Sequence, residues 1–151
     1  MADAGLLSND NIKALEKKQY EYIIGARLKN EPDKIKNQIL KNKYNDGSII
    51  SIKKSTTTRL VVNYSNVRVS KDAYNRQRGL HRLEKLIKSG RLTKSNINNK
   101  GYNKYLKMIG EVKIEIDYEK YANDNDWDGL KGYVTNTRLT NNDVLESYKN
   151  L

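Results

Sequence analysis

The chain has 151 residues with no cysteine and one histidine, so disulfides and thiolate metal sites are excluded and a metal would fall to carboxylates. Its net charge of +11 favours a polyanionic partner, most simply nucleic acid, because each neutralised phosphate releases condensed counterions. No apolar run approaches the ~18 residues of a membrane span and no leader-like apolar stretch follows Met1, which predicts a cytoplasmic protein without a membrane partner.

In chain order, Ser8 is placed to cap a short helix over residues 9–18, with Ile12 and Leu15 at helical spacing. The aromatic and β-branched run from Tyr20 to Leu28 predicts a strand. Pro32, the only proline, suits a first helical turn, and Ile35, Ile39 and Leu40 carry that helix to about Lys43. The order of elements to this point is that of an α/β domain. Asn45-Asp46-Gly47 then signals a turn, and two strands are expected, over residues 49–52 and from Arg59 to Tyr64, in a run (TTTRLVVNYSNVRV) whose alternation suits a half-buried antiparallel sheet. Ser70 is expected to cap a longer helix that closes at Gly90, with Leu80, Leu83, Leu86 and Ile87 as its apolar stripe. Residues 91–104 read as a polar loop and residues 105–117 as strand, turn, strand, with Val112, Ile114 and Ile116 on one face. DNDWDG reads as a turn, GLKGYVT as a strand, and Thr140 as the cap of a last helix holding Val144, Leu145 and Tyr148. Both ends of the chain read as cut in mid-pattern.

Three groups of residues carry possible chemistry. Arg76, Arg78, Arg82, Lys85 and Lys88 lie with His81 around the polar side of the long helix, whose only acids are Asp72 and Glu84. Such a surface can track phosphates, and it can equally be a solvated helix face held by local ion pairs. Asp124, Asp126 and Asp128 resemble part of a calcium loop but lack its distal Glu, so a turn is the better reading. Trp127, the only tryptophan in a chain without phenylalanine, suits either a base-stacking platform or a packing residue at the mouth of a strand. No phosphate-binding Gly-rich loop, nucleophile elbow or Ser/His/Asp arrangement is present. These residues alone describe a basic, mixed α/β module that binds DNA or RNA without catalysing a reaction; a structural or protein-interaction piece would fit the chain's ends but no residue in particular.

The wording of the chain goes further. ADAGLLSNDNIKALEKKQYEYIIGARLK resembles the segment around the second catalytic aspartate of insertion-sequence transposases of the DDE type. The similarity continues through KDAYNRQRGLHRLEKLIKSGRLTKSN, NNKGYNKYLK and VKIEIDYEKYANDNDWDGLKGYVTNT, and closes on LESYKNL. LESYKNL resembles the opening of that family's terminal signature, Tyr, two residues, Arg, three residues, Glu, then a downstream Lys. The resemblance implies an RNase H-like catalytic core over residues 1–44, a β-rich insertion with a basic helix over 45–135, and over 136–151 the start of the helix leading to the catalytic Glu. It implies that Asp3 is the second of three carboxylates that hold two Mg²⁺ or Mn²⁺ ions for in-line phosphoryl transfer on DNA. By the same resemblance Arg27 and Lys29 contact DNA, Tyr148 opens the terminal signature, and Trp127 invites comparison with a tryptophan that caps a flipped base in some relatives. Leu151 stands where the signature has its Arg. The first Asp is expected before Met1 and the Glu after Leu151, so the chain by itself is expected to be inactive and to bind no metal. The intact transposase is expected to act as a homodimer on transposon ends and target DNA.

Overall fold

The computed structural model describes Gly5, residues 8–111 and residues 113–150. The protein is mixed α and β, with five helices and six strands among the described residues. Asp3 and Val112 lie outside them. The chain divides into two compact units, one from the N-terminal part up to Asn66 together with Gly129 onward, the other Val67–Asp128.

The first unit opens with α1 (Asn9–Lys17), where the Ser8 hydroxyl accepts from the Asn11 amide at 3.1 Å and so satisfies one of the first-turn N–H groups. Strand β1 (Ile23–Ala26) is shorter than expected, because Leu28 turns away in a single 3-10 turn and lies buried over Gly132. Helix α2 (Asp33–Lys41) follows Pro32 and ends two residues early. There Asn42 Nδ2 donates to the Gln38 carbonyl at 2.6 Å and the Tyr44 hydroxyl to that of Ile39 at 2.7 Å, which satisfies two carbonyls of the last turn. Strands β2 (Ile49–Lys53), β3 (Arg59–Tyr64) and β6 (Leu130–Thr135) join β1 in an antiparallel sheet of order β1-β6-β3-β2.

The sheet is covered on both faces. Ile23, Val61 and Tyr133 point to the side of α5 (Asn141–Lys149) and pack with its Val144 and Leu145. On the opposite face lie Ile24, Leu60, Val62 and Val134, all buried. Polar clasps fix the margins. The Asn136 side chain accepts from the Tyr22 amide at 2.8 Å and donates to the Tyr20 carbonyl at 3.0 Å, acting as one more ladder residue beyond β6. The Thr135 hydroxyl donates to the Tyr22 carbonyl at 2.8 Å. Arg59 donates to the carbonyls of Thr137 and Leu139 and to Asn141, holding the loop that feeds α5.

The second unit contains most of α3 (Asn66–Lys88), the hairpin β4–β5 (Leu106–Ile109 and Lys113–Ile116) and the short α4 (Tyr118–Asn123). Its core is Leu83, Tyr105, Leu106 and Ile116, flanked by Leu80, Ile87, Leu92, Ile97, Ile114 and Tyr121.

Several expectations need correction. Strand β3 spans Arg59–Tyr64 as expected, but α3 begins at Asn66, a turn before Ser70. The reason is tertiary: the Asp46 carboxylate accepts from the Asn66 amide at 2.9 Å, so an acid from a distant turn serves the helix start. Asp117, expected to end a strand, is the N-cap of α4 (Tyr118–Asn123), while the turn expected at DNDWDG is present as a 3-10 turn over Asp124–Trp127. The expected division after residue 44 falls inside one unit, since β1 shares its sheet with β2, β3 and β6.

Candidate nucleic-acid interface

Helix α3 sorts its side chains by the 3.6-residue repeat. Gly79 and Leu83 are buried, and Leu80 and Ile87 pack on the core of the second unit. On another side Lys71, Tyr74, Arg78, Arg82 and Lys85 follow one another at spacings of three or four residues and are all exposed. At about 1.5 Å per residue, this row extends roughly 21 Å along the axis. Both acids of the helix lie elsewhere: Asp72 is half-buried, and Glu84 meets His81 at 3.3 Å and the Tyr118 hydroxyl at 3.2 Å. The row is therefore a one-signed field, to which Arg82 and Lys85 contribute without an ion-pair partner among the described residues. The Arg78 guanidinium rests 5.6 Å from the Tyr74 ring centroid, which leaves its fork of donors outward.

Beside the row is a groove of about 300 Å³ lined by Asn75, Arg78, Gly79, Arg82 and Tyr102. Gly79 makes it possible. A Cβ at this position would stand 2.3 Å from Cγ of Tyr102 and 2.4 and 2.5 Å from its two Cδ atoms. Three such similar distances mean that the ring lies flat on the helix, where only a glycine leaves room.

Arg76 is not part of this surface. Its side chain is 12% exposed and forms a bidentate pair with the 7%-exposed Asp128, one of its two bonds at 2.8 Å. Its guanidinium also lies 5.5 Å from the Tyr121 ring centroid. The hydrogen bonds to Asp128 hold the Arg76 proton more firmly than usual. Asp124 likewise accepts from the Tyr105 hydroxyl and pairs with Lys104 at 2.9 Å. Burial, reinforced by that acceptor, pushes the Tyr105 hydroxyl well above its ordinary range. Two of the three acids in DNDWDG thus serve a buried polar network, in keeping with a structural turn. Trp127 ends the 3-10 turn beside this network and is half-buried.

The other expected residues belong to the first unit. Arg27 is exposed at the end of β1, with no ion-pair partner among the described residues, and Lys29 is exposed in the 3-10 turn that follows. Tyr148 spends one side of its ring on packing: its centroid is 4.6 Å from that of Tyr133, and Lys131 Nζ lies over both rings, 5.1 Å from Tyr148.

Asp3 lies outside the described residues, so its neighbours are not defined. Among the described residues no group of three or more His, Asp or Glu side chains could hold a metal ion, and they do not fit a two-metal centre by themselves. No helix among them is long and apolar enough to cross a membrane. Sequence reading missed Asn75, Gly79 and Tyr102. The available signal was a glycine inside an otherwise strong helix, which costs about 1 kcal/mol against alanine and calls for a packing reason. Comparison with protein-family models, curated proteins and solved structures finds no match for the chain.

Proposed function

We propose that the chain is a DNA-handling segment of a DDE-type transposase, with an RNase H-like core and an inserted basic subdomain. The observation that carries this reading is the cation row Lys71, Arg78, Arg82 and Lys85 on one exposed side of α3, joined to the sequence resemblance around ADAG and SYKNL. A row of this kind grips phosphate oxygens without reading sequence, and so suits an enzyme that must hold transposon ends and arbitrary target DNA. The intact enzyme, acting as a homodimer, would hold Mg²⁺ or Mn²⁺ through Asp3 and two carboxylates from outside the chain. The described residues supply no such set, so no metal-dependent step is assigned to them. Arg27, Lys29 and Tyr148 are the DNA contacts proposed for the first unit.

The test is binding of a 20-base-pair duplex of arbitrary sequence. The four cations of the α3 row contribute about −3.6 to the slope of log K against log salt, which by itself is roughly a 150-fold loss of affinity between 50 and 200 mM. Absence of duplex affinity at 50 mM salt overturns the reading. Asp3→Ala is expected to leave this binding unchanged and to abolish strand transfer by a transposase containing the chain. Strand transfer that survives Asp3→Ala would leave only the non-catalytic nucleic-acid-binding module.

A further inference from the structure

We infer that the groove of Asn75, Arg78, Gly79, Arg82 and Tyr102 receives one unpaired nucleotide, its base against Tyr102 and its phosphate between Arg78 and Arg82. This rests on the DNA-binding reading above and specifies the substrate class for one part of that surface.

Three observations converge. The Tyr102 ring is laid flat on α3 by the missing side chain of Gly79, which consumes one of its faces. The residue is nonetheless 37% exposed, so the remainder of the ring opens to solvent beside the groove. A flat aromatic ring fixed on a helix is a stacking platform that tolerates any base, because every base has a π face. Next, Arg78 and Arg82 stand one helical turn apart on the same wall, each able to present a planar fork of donors to phosphate oxygens. Finally, Asn75 lies one turn before Gly79 and offers both a donor and an acceptor for the edge of a base. The space of about 300 Å³ is at the lower end for small-molecule sites. A paired base cannot use such a place, since its faces are occupied within the stack. A nucleotide at a single-stranded end or gap can.

The experiment compares three fluorescein-labelled DNAs by anisotropy at one salt concentration: a blunt 15-base-pair duplex, the same duplex with a three-nucleotide 3′ overhang, and one with a three-nucleotide 5′ overhang. The full chain is tested alongside Tyr102→Leu and Tyr102→Phe. The inference predicts that the unaltered chain binds at least one overhang about fivefold or more tighter than the blunt duplex, as expected for a single aromatic stack. Tyr102→Leu should remove that preference and leave blunt-duplex affinity within about twofold, and Tyr102→Phe should keep it. Trp127 fluorescence and circular dichroism show whether each variant is folded. Equal affinity for blunt and overhanging DNA, or a preference that survives in folded Tyr102→Leu, overturns the inference while the DNA-binding reading stands. Loss of all DNA binding by the unaltered chain overturns both.

Discussion

Asp128→Ala should destabilise the second unit severely. The substitution strands the Arg76 guanidinium, whose side chain is only 12% exposed and whose two bonds to the carboxylate are its main compensation. Removing one member of a buried pair costs about 3–5 kcal/mol, because the other charge is left desolvated without a partner. The Tyr121 ring and the Asn125 side chain stay near Arg76, which places the expected loss toward the lower figure. Trp127, the only tryptophan, belongs to this unit and neighbours Asp128, so urea unfolding followed by its fluorescence reports on the unit directly. The double variant Arg76→Met/Asp128→Leu should recover most of the loss. The native pair is imperfect, since Arg76 Nε is buried with no hydrogen-bond partner among the described residues, and buried pairs are often replaceable by apolar residues at little cost. A loss below about 1 kcal/mol for Asp128→Ala, the range of an exposed pair, would refute the claim that Arg76 is a structural residue rather than a phosphate contact.

Gly79→Ala sets a helix-propensity gain of about 1 kcal/mol against overpacking of about 1–3 kcal/mol on the Tyr102 ring, so a net loss near 1 kcal/mol is expected in the same urea assay. A gain of stability would show that the ring does not rest on Gly79. Asn136→Ala removes the acceptor of the buried Tyr22 amide and the donor to Tyr20, and should cost about 1–3 kcal/mol by circular dichroism-monitored unfolding; no measurable cost would contradict the clasp. Stability should also fall in alkali. Burial raises the Tyr44 hydroxyl from an ordinary value of 10.0 to about 12, and burial with the Glu16 acceptor raises that of Tyr22 further. Both favour the neutral phenol in the folded state, so their contribution is whole below pH 10 and falls as pH climbs, that of Tyr44 being lost from 10 through about 12 and that of Tyr22 continuing to fall above it. Unfolding midpoints that stay level up to pH 11.5 would contradict this.

Elements with local signals were readable from sequence. Ser8 and Thr140 cap α1 and α5 through their own side chains, three residues from the amides they serve. Gly47 and Gly110 adopt positive φ where turns were expected. What escaped was decided at a distance. The start of α3 depends on Asp46, which lies twenty positions earlier than Asn66. Arg76 looked like one more cation on a basic helix, and only its angular position beside Leu83 and the arrival of Asp128 from the far end of the unit bury it. Tyr102 sat in a polar, Asn-rich stretch whose contact with Gly79 no periodicity reveals. The candidate interface was thus half visible: Arg78, Arg82 and Lys85 could be named from spacing, while the platform beside them required the fold.

The central claim is that phosphate contact runs along one side of α3, and a salt titration of its charge-neutral variant tests it most directly. With Lys71→Gln, Arg78→Gln, Arg82→Gln and Lys85→Gln combined, the slope of log K against log salt for a 20-base-pair duplex should become shallower by about 3.6. A control carrying Lys13→Gln, Lys17→Gln, Lys34→Gln and Lys41→Gln changes net charge equally and should retain the original slope. Equal slopes for the unaltered chain and the α3 variant, or an equal loss in the control, would contradict the account.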